Sequence, residues 1–296
     1  YADVSELANK FRLPYFFVED YSLKSERDKK ILTNIEFDLV WVAGWQRLIP
    51  NWLIDISPLG AIGSHGSPDG ITKGRGRSPQ NWALILGCES FEISLFRITQ
   101  GIDDGAVISS RKFFYGPNDN IRISYFRVSV AISEMVCELL DNIDKLENSI
   151  PQDGSVFYYP QRKPEDGFVD WNLNAINVTK FCAALTHPYP GMKCIYDDAE
   201  IIIWECIEFD KNVKYQPGTI SFIFDNDSFL VSVLDGRLLI KSWESENDSW
   251  EPKVNQILKG VNFFEQLEKI VFRHTTKYPG MFISPRIMDI LSSKEL

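Results

Sequence analysis

Residues Phe37-Asp38-Leu39-Val40-Trp41-Val42-Ala43-Gly44 form an almost unbroken apolar run that ends at a glycine. A strand with one wet face alternates polar and apolar residues. A run of this kind instead predicts a strand buried on both faces, as in a parallel sheet with helices above and below. A second short internal strand, Gly60-Ala61-Ile62-Gly63, follows the breaker Pro58. Upstream, Val4, Leu7, Ala8 and Phe11 recur at helical spacing within Tyr1–Phe11, Tyr15–Val18 reads as a short strand, and Ser25–Ile35 as an amphipathic helix. Alternating helix and strand places the first half in the α/β class, as an open, mostly parallel sheet.

Further along, Asn81–Leu86 opens a helix, and Phe91–Ile98 and Val107–Tyr115 read as strands. Ile121, Tyr125, Val128, Ile132, Met135, Leu139 and Ile143 form one apolar stripe of a long helix, which is a core-packing face and not a cofactor box. After Leu146 the composition shifts: Pro151, Gly154, Pro160, Pro164 and Gly167 mark residues 147–171 as a crossing segment. Val178–Leu185 is helical. The short runs Ile201–Ile207, Thr219–Phe224, Phe229–Leu234 and Leu238–Trp243, with turn residues between them, predict a small antiparallel barrel or sandwich. Asn262–Phe272 reads as a late helix. The expected units are 1–146, the crossing segment 147–171, a β domain 172–245 and an extension 246–296.

Charge narrows the partners. The 296 residues hold 31 Lys and Arg against 41 Asp and Glu, a formal charge of −10. That balance opposes a nucleic-acid partner and leaves a small nucleotide-linked substrate open. No stretch approaches the roughly 20 apolar residues that span a bilayer, so no membrane partner is expected. Five widely spaced cysteines without a CxxC argue against a disulfide framework or structural zinc and for a reducing, cytoplasmic setting.

Three clusters could carry chemistry. His65 lies in Gly63-Ser64-His65-Gly66-Ser67-Pro68, read as a loop just after the second strand, where open α/β sheets bind ligands; a loop-satisfying histidine is the plainer alternative. Gln100-Gly101-Ile102-Asp103-Asp104-Gly105 is a turn with two carboxylates, which alone suits a solvated hairpin equally well. Lys73-Gly74-Arg75-Gly76-Arg77-Ser78-Pro79 is basic and glycine-flanked, able to meet a phosphate although it lacks the P-loop pattern. His187, in Thr186-His187-Pro188-Tyr189-Pro190-Gly191, reads as a structural turn, and His274, beside Arg273, as a helix-end residue. No metal site is supported.

Taken in order, these stretches resemble the 10-formyltetrahydrofolate-dependent N-formyltransferases. The matches are His65-Gly66-Ser67-Pro68, Arg75-Gly76-Arg77-Ser78-Pro79-Gln80-Asn81-Trp82-Ala83 and Gly101-Ile102-Asp103-Asp104-Gly105. Tyr158–Gly167, Asp170-Trp171 and Pro188-Tyr189-Pro190-Gly191 are similar to the crossing segment and C-terminal domain of sugar N-formyltransferases and methionyl-tRNA formyltransferase. The resemblance covers roughly residues 1–245, an ordinary two-domain span.

It implies a formyltransferase-type sheet with helices on both faces, then a small OB-like β-barrel. It further implies formyl transfer from 10-formyltetrahydrofolate to a primary amine. His65 would act as acid/base or oxyanion partner and Asp103 would orient it. Val42, Gly44, Trp45, Gln46, Arg47 and Leu48 would line the pterin pocket, closed from the other side by Gln100, Gly101, Ile102 and Asp104. Ser67 would assist on the substrate side, with Asn81, or a water held by Ser64 or Ser67, as the relocated donor near Gly63. Lys73, Arg75 and Arg77 are the candidates for a diphosphate. The resemblance favours a nucleotide-linked amino sugar, of the kind used in lipopolysaccharide biosynthesis, over methionyl-tRNA, and admits a homodimer.

Two departures stand out. The family has asparagine two residues before the histidine, where this chain has Gly63. Its amide helps hold the oxyanion, so Gly63→Asn is expected to raise kcat, and a degenerate binding protein is the non-enzymatic alternative. The family fold also begins with two βα units ahead of the helix that Tyr1–Phe11 resembles. At about 30 residues each, these N-terminal strands are expected to be missing here.

Overall fold

The computed structural model describes residues 3–45, 47–247 and 249–296. In chain order the elements are α1 (Ser5–Lys10), α2 (Glu26–Thr33), β1 (Val40–Val42), α3 (Asn51–Asp55), β2 (Ala61–Ser67), β3 (Arg75–Gly76), α4 (Pro79–Ile85), β4 (Ser90–Arg97), β5 (Val107–Phe114) and α5 (Ile121–Asp141). They continue with β6 (Tyr158–Tyr159), α6 (Ala175–Leu185), β7 (Met192–Tyr196), β8 (Ala199–Asp210), β9 (Ile220–Ile223), β10 (Phe229–Val233), β11 (Gly236–Ser245), α7 (Phe263–Lys277) and α8 (Pro285–Ser293).

The first sheet is four-stranded, in the order β1-β2-β4-β5. β1 and β2 run parallel with Val42 beside Gly63, whereas β4 is antiparallel to both β2 and β5. The α/β class holds. Among the described residues, however, the sheet is mixed, with its parallel part confined to the β1–β2 pair. β1 is also shorter than its apolar run suggests; among the described residues it lies at one edge of the sheet, and Trp41 is 44% exposed. Tyr15–Val18 forms no strand.

One face of α5 makes the core of this half. Val128, Ala131, Met135, Val136 and Leu139 pack with Ile62, Phe91, Ile93 and Leu95, the stripe that the 3.6-residue period predicts. A smaller cluster of Leu23, Leu32 and Leu53 joins α2 and α3 beside Val40 and Trp45. Ser25 caps α2 by accepting from the Arg27 and Asp28 amides.

The second half holds a five-stranded antiparallel sheet, ordered β7-β8-β11-β10-β9. Its two edges do not pair with each other, so the strand ladder is open and not a closed barrel. Residues 257–259 instead reach both edges through isolated bridges, Ile257 to Thr219 and Lys259 to Ile195. α6 covers the sheet, and Val178, Phe181 and Cys182 join Ile201, Ile203, Val231 and Leu238 in the largest core. The late helix α7 starts at the Asn262 cap and runs past its expected end to Lys277.

The crossing segment returns to the first half. β6 pairs in parallel with β3, Tyr158 beside Arg75, and Ile283 bridges to the same Tyr158. The C-terminal α8 is thereby brought toward the loop after β2. Among the described residues, no helix is long and apolar enough to cross a membrane.

Candidate active site

His65 lies inside β2, not in a loop after it: the strand continues to Ser67 and His65 pairs with Ser94. Side chains alternate along a strand, so Gly63 and His65 share one face and Ser64 points to the other. The His65 Nε2 is 2.8 Å from the Gly74 carbonyl oxygen. A carbonyl only accepts, so Nε2 carries a hydrogen directed at Gly74. That Nδ1 is 3.5 Å from Asp103 Oδ2.

The close approach of Gly74 has a steric origin. A Cβ on Gly74 would fall 1.7 Å from Ser67 Oγ, so only glycine lets this backbone press against β2 and present its carbonyl to His65. The same contact seals Ser67. Its side chain is buried and its hydroxyl accepts from the Asp69 amide at 3.1 Å, so it does not open toward a substrate.

Asp103 arrives on the β4–β5 connection with a φ of +50°, a left-handed conformation that aspartate tolerates better than most residues. Its Oδ2 accepts from the Gly76 amide at 3.2 Å. The turn is held by Gln152, which sequence reading passed over as part of a linker. Gln152 Nε2 donates to the Asp103 carbonyl at 2.7 Å and to the Gly105 carbonyl at 2.9 Å. Its Oε1 accepts from Arg75 Nη2 at 2.8 Å and from Thr72 Oγ1 at 3.1 Å. Nothing in its residue type marked it; only the fold brings it across.

The other predicted residues divide. Val42 ends β1 beside Gly63, and Gly44 follows with a φ of +66°. Trp45 packs its ring 4.3 Å from that of Tyr21, the Arg47 guanidinium lies 5.7 Å over the same tyrosine, and Leu48 is exposed. Gln46 lies outside the described residues. Gln100 and Asp104 are exposed, Gly101 and Ile102 half-buried, and Asp104 pairs with the Thr99 hydroxyl. Lys73 is exposed and Arg77 half-buried. Arg75, in contrast, is buried and committed to Gln152, so it does not face a phosphate. Asn81 is no substitute donor, since its buried amide donates to the Ala184 carbonyl of α6 at 2.6 Å. The space expected beside Gly63 is also taken: a Cβ there would lie 3.1 Å from Ile98 Cδ1.

A second layer supports the loop after His65. Tyr159 donates to Asp69 Oδ2 at 2.7 Å. Burial, followed by the adjacent Asp69 charge, pushes the Tyr159 hydroxyl well up, so it remains a donor throughout the working pH range. A cavity of about 400 Å³, lined in part by Thr72, Lys73, Ser94, Ser110 and Gln152, opens beside this layer. The His187 ring lies 3.9 Å from that of Trp204, tilted by 49°, and His274 lies near the Met281 carbonyl with its ring 6.5 Å from that of Tyr158. Among the described residues no cluster of three or more His, Cys, Asp or Glu could hold a metal.

A histidine inside a mixed sheet faces an aspartate on the β4–β5 connection, and a five-stranded antiparallel sheet follows in the second half. The chain belongs to the formyl transferase family: residues 3–135 match the formyl transferase model and residues 162–261 the formyl transferase C-terminal domain. It is 27% identical over 297 residues to the bifunctional polymyxin resistance protein ArnA of Wigglesworthia glossinidia brevipalpis, covering 96% of this chain and 44% of that protein. The chain thus spans less than half of that relative. It is 28% identical over 260 residues to the methionyl-tRNA formyltransferase of Staphylococcus epidermidis, covering 87% of this chain and 82% of the other. The fold is shared with WlaRD, a sugar 3N-formyl transferase solved with dTDP and 5-N-formyl-THF, at TM-score 0.57 and 15% identity over 83% of this chain and 82% of that one.

Proposed function

We propose that this chain transfers the formyl group of 10-formyltetrahydrofolate to the primary amine of a nucleotide-linked amino sugar. The observation that carries the reading is the 3.5 Å approach of His65 Nδ1 to Asp103 Oδ2. The amine attacks the formyl carbon, an oxyanion forms, and the carbon–N10 bond breaks as a proton passes from the amine to the departing nitrogen. His65 Nδ1 accepts and returns that proton. With Nε2–H held by Gly74, the ring keeps one orientation, and the Asp103 carboxylate stabilises the imidazolium that forms.

Val42, Gly44, Trp45, Arg47 and Leu48, at the C-terminal end of β1, would receive the pterin, with the Gln100–Asp104 turn closing over it. Lys73 and Arg77 remain the candidates for the diphosphate. The relationship to ArnA, the solution of WlaRD in the presence of dTDP and 5-N-formyl-THF, and the charge of −10 all support a small nucleotide-linked acceptor. Five free cysteines are in keeping with a cytoplasmic setting.

The second reading is methionyl-tRNA formylation, favoured by the 82% coverage of that relative. The test is an acceptor panel of amino-sugar nucleotides and methionyl-tRNA with 10-formyltetrahydrofolate as donor. Turnover with an amino-sugar nucleotide is expected. Turnover with the tRNA alone reverses the substrate assignment, and folate binding without any turnover leaves a binding protein.

A further inference from the structure

We propose that Gln152 is a positioning residue that sets the Asp103 carboxylate against His65, so that the crossing segment takes part in the reaction. This inference rests on the formyl-transfer reading for its kinetic part only.

The amide of Gln152 has two N–H donors and one oxygen with two lone pairs, and all four are used. The donors meet the Asp103 and Gly105 carbonyls, and the oxygen meets Arg75 and Thr72. This assignment allows no flip. Turning the amide over would set its oxygen against two carbonyls and its NH2 against a guanidinium. The side chain is therefore oriented by chemistry and acts as a directional clamp, half of which grips the Asp103 turn.

That turn needs a clamp. Asp103 has a φ of +50°, outside the regions a non-glycine residue prefers. The Gly105 backbone runs so close to Arg97 that a Cβ would fall 1.7 Å from its carbonyl oxygen. Beyond Gln152, Asp103 meets the opposite wall through its side chain, whose Oδ2 accepts from the Gly76 amide at 3.2 Å and lies 3.5 Å from His65 Nδ1. The segment supplying Gln152 is itself anchored on both sides: Ile150 exchanges backbone hydrogen bonds with Val107 at 2.8 Å each, and Tyr158 pairs with Arg75 on β3. Displacing a catalytic group by 1 Å costs on the order of 100-fold in rate, so a clamp on this turn acts on kcat.

Gln152→Glu separates positioning from structural support. The glutamate keeps acceptors for Arg75 and Thr72 and adds charge complementarity with Arg75. It has no hydrogen to donate and turns an oxygen toward the Asp103 and Gly105 carbonyls. The proposal expects both Gln152→Glu and Gln152→Ala to lower kcat about tenfold, with KM for both substrates changed less than about twofold. It also expects the Gly76 amide to exchange with solvent at least about fivefold faster in both variants, because its Asp103 acceptor moves. If Gln152→Glu keeps both the wild-type kcat and the Gly76 protection while Gln152→Ala loses stability, Gln152 only satisfies Arg75 and the proposal is overturned. A wild-type protein inactive on every acceptor would sink the formyl-transfer reading instead. The Gly76 exchange rates would then still decide whether Gln152 positions Asp103.

Discussion

Arg286 of the C-terminal α8 donates through Nε to Asp69 Oδ1 at 2.7 Å, joining residues 217 apart in sequence. The other oxygen of Asp69 holds the buried Tyr159 hydroxyl, and the Asp69 amide donates to Ser67. The loop directly after the His65 strand is thus held from two sides, with unequal strength. The Arg286 side chain is 51% exposed, so its loss should cost no more than about 1 kcal/mol. Tyr159→Phe removes a buried bond to a charged group and should cost about 1–3 kcal/mol. Urea unfolding of Arg286→Ala and Tyr159→Phe compares them directly. Equal costs, or a larger one for Arg286→Ala, would show that α8 holds the loop at least as firmly as the tyrosine.

Lys73 and Arg75 are two residues apart and should answer to different measurements. Lys73 is exposed, whereas the Arg75 guanidinium is buried against Gln152. Lys73→Ala should raise KM for the nucleotide sugar several-fold with Tm unchanged. Arg75→Ala removes a buried charged hydrogen bond to Gln152 Oε1, leaving Thr72 as its donor, and should lower stability by about 1–3 kcal/mol. A phosphate role for Arg75 would instead appear as a KM effect at unchanged Tm.

His274 is expected to make the fold acid-sensitive. Burial holds it below its ordinary value of 6.5, outweighing the hydrogen bond to the Met281 carbonyl that favours the charged form. The sign follows: above 6.5 the ring is neutral in both folded and unfolded chains, and the folded state loses nothing. As pH falls through that value, the unfolded chain takes up a proton that the folded ring refuses, so stability drops until the lowered folded value is passed. His274→Gln keeps a donor for Met281 without the titration. Its stability should decline less than wild type between about pH 7 and pH 5, measured by denaturant unfolding at fixed ionic strength. Parallel declines would assign the acid sensitivity to other groups.

Periodicity carried much of the fold. The α5 stripe from Ile121 to Leu139 needed no partner to be read, because a helix states its buried face in its own spacing. β1 misled for the opposite reason: its residues are apolar throughout, and only the sheet order reveals that it lies at an edge. β7 is short and carries no strong local signal, whereas α8 states itself through Pro285 at its first position and an apolar face of Ile287, Ile290 and Leu291. The His65–Asp103 contact was legible through family resemblance and not through any periodicity, since 37 residues lie between them. Gln152 was invisible because its four bonds reach residues 47 to 80 positions away. An amide in a proline-rich crossing segment reads as solvated until the fold supplies its partners.

Gly63 stands where the resemblance leads one to expect asparagine, and the structure changes what placing an asparagine there should do. A Cβ at Gly63 would meet Ile98 Cδ1 at 3.1 Å, Ile98 Cγ1 at 3.2 Å and Phe96 Cζ at 3.6 Å. The methyl end of Ile98 therefore occupies the space on the His65 face that an amide would need. Gly63→Asn alone overpacks this corner and should lower stability by about 1–3 kcal/mol without raising kcat. Pairing it with Ile98→Ala removes the obstructing branch and lets the amide approach the forming oxyanion. The double variant should then raise kcat about tenfold, a fraction of the 100- to 1,000-fold that one oxyanion donor contributes in a well-studied protease. Folate Kd should stay nearly constant across the series, because the new contact is made in the transition state. The measurements are kcat and folate Kd for wild type, the two single variants and the pair, with His65→Ala as the floor. A single Gly63→Asn protein that is already faster would mean that Ile98 yields easily. A double variant that binds folate with unchanged kcat would mean that the oxyanion is held by another group, and that Gly63 does not limit the reaction.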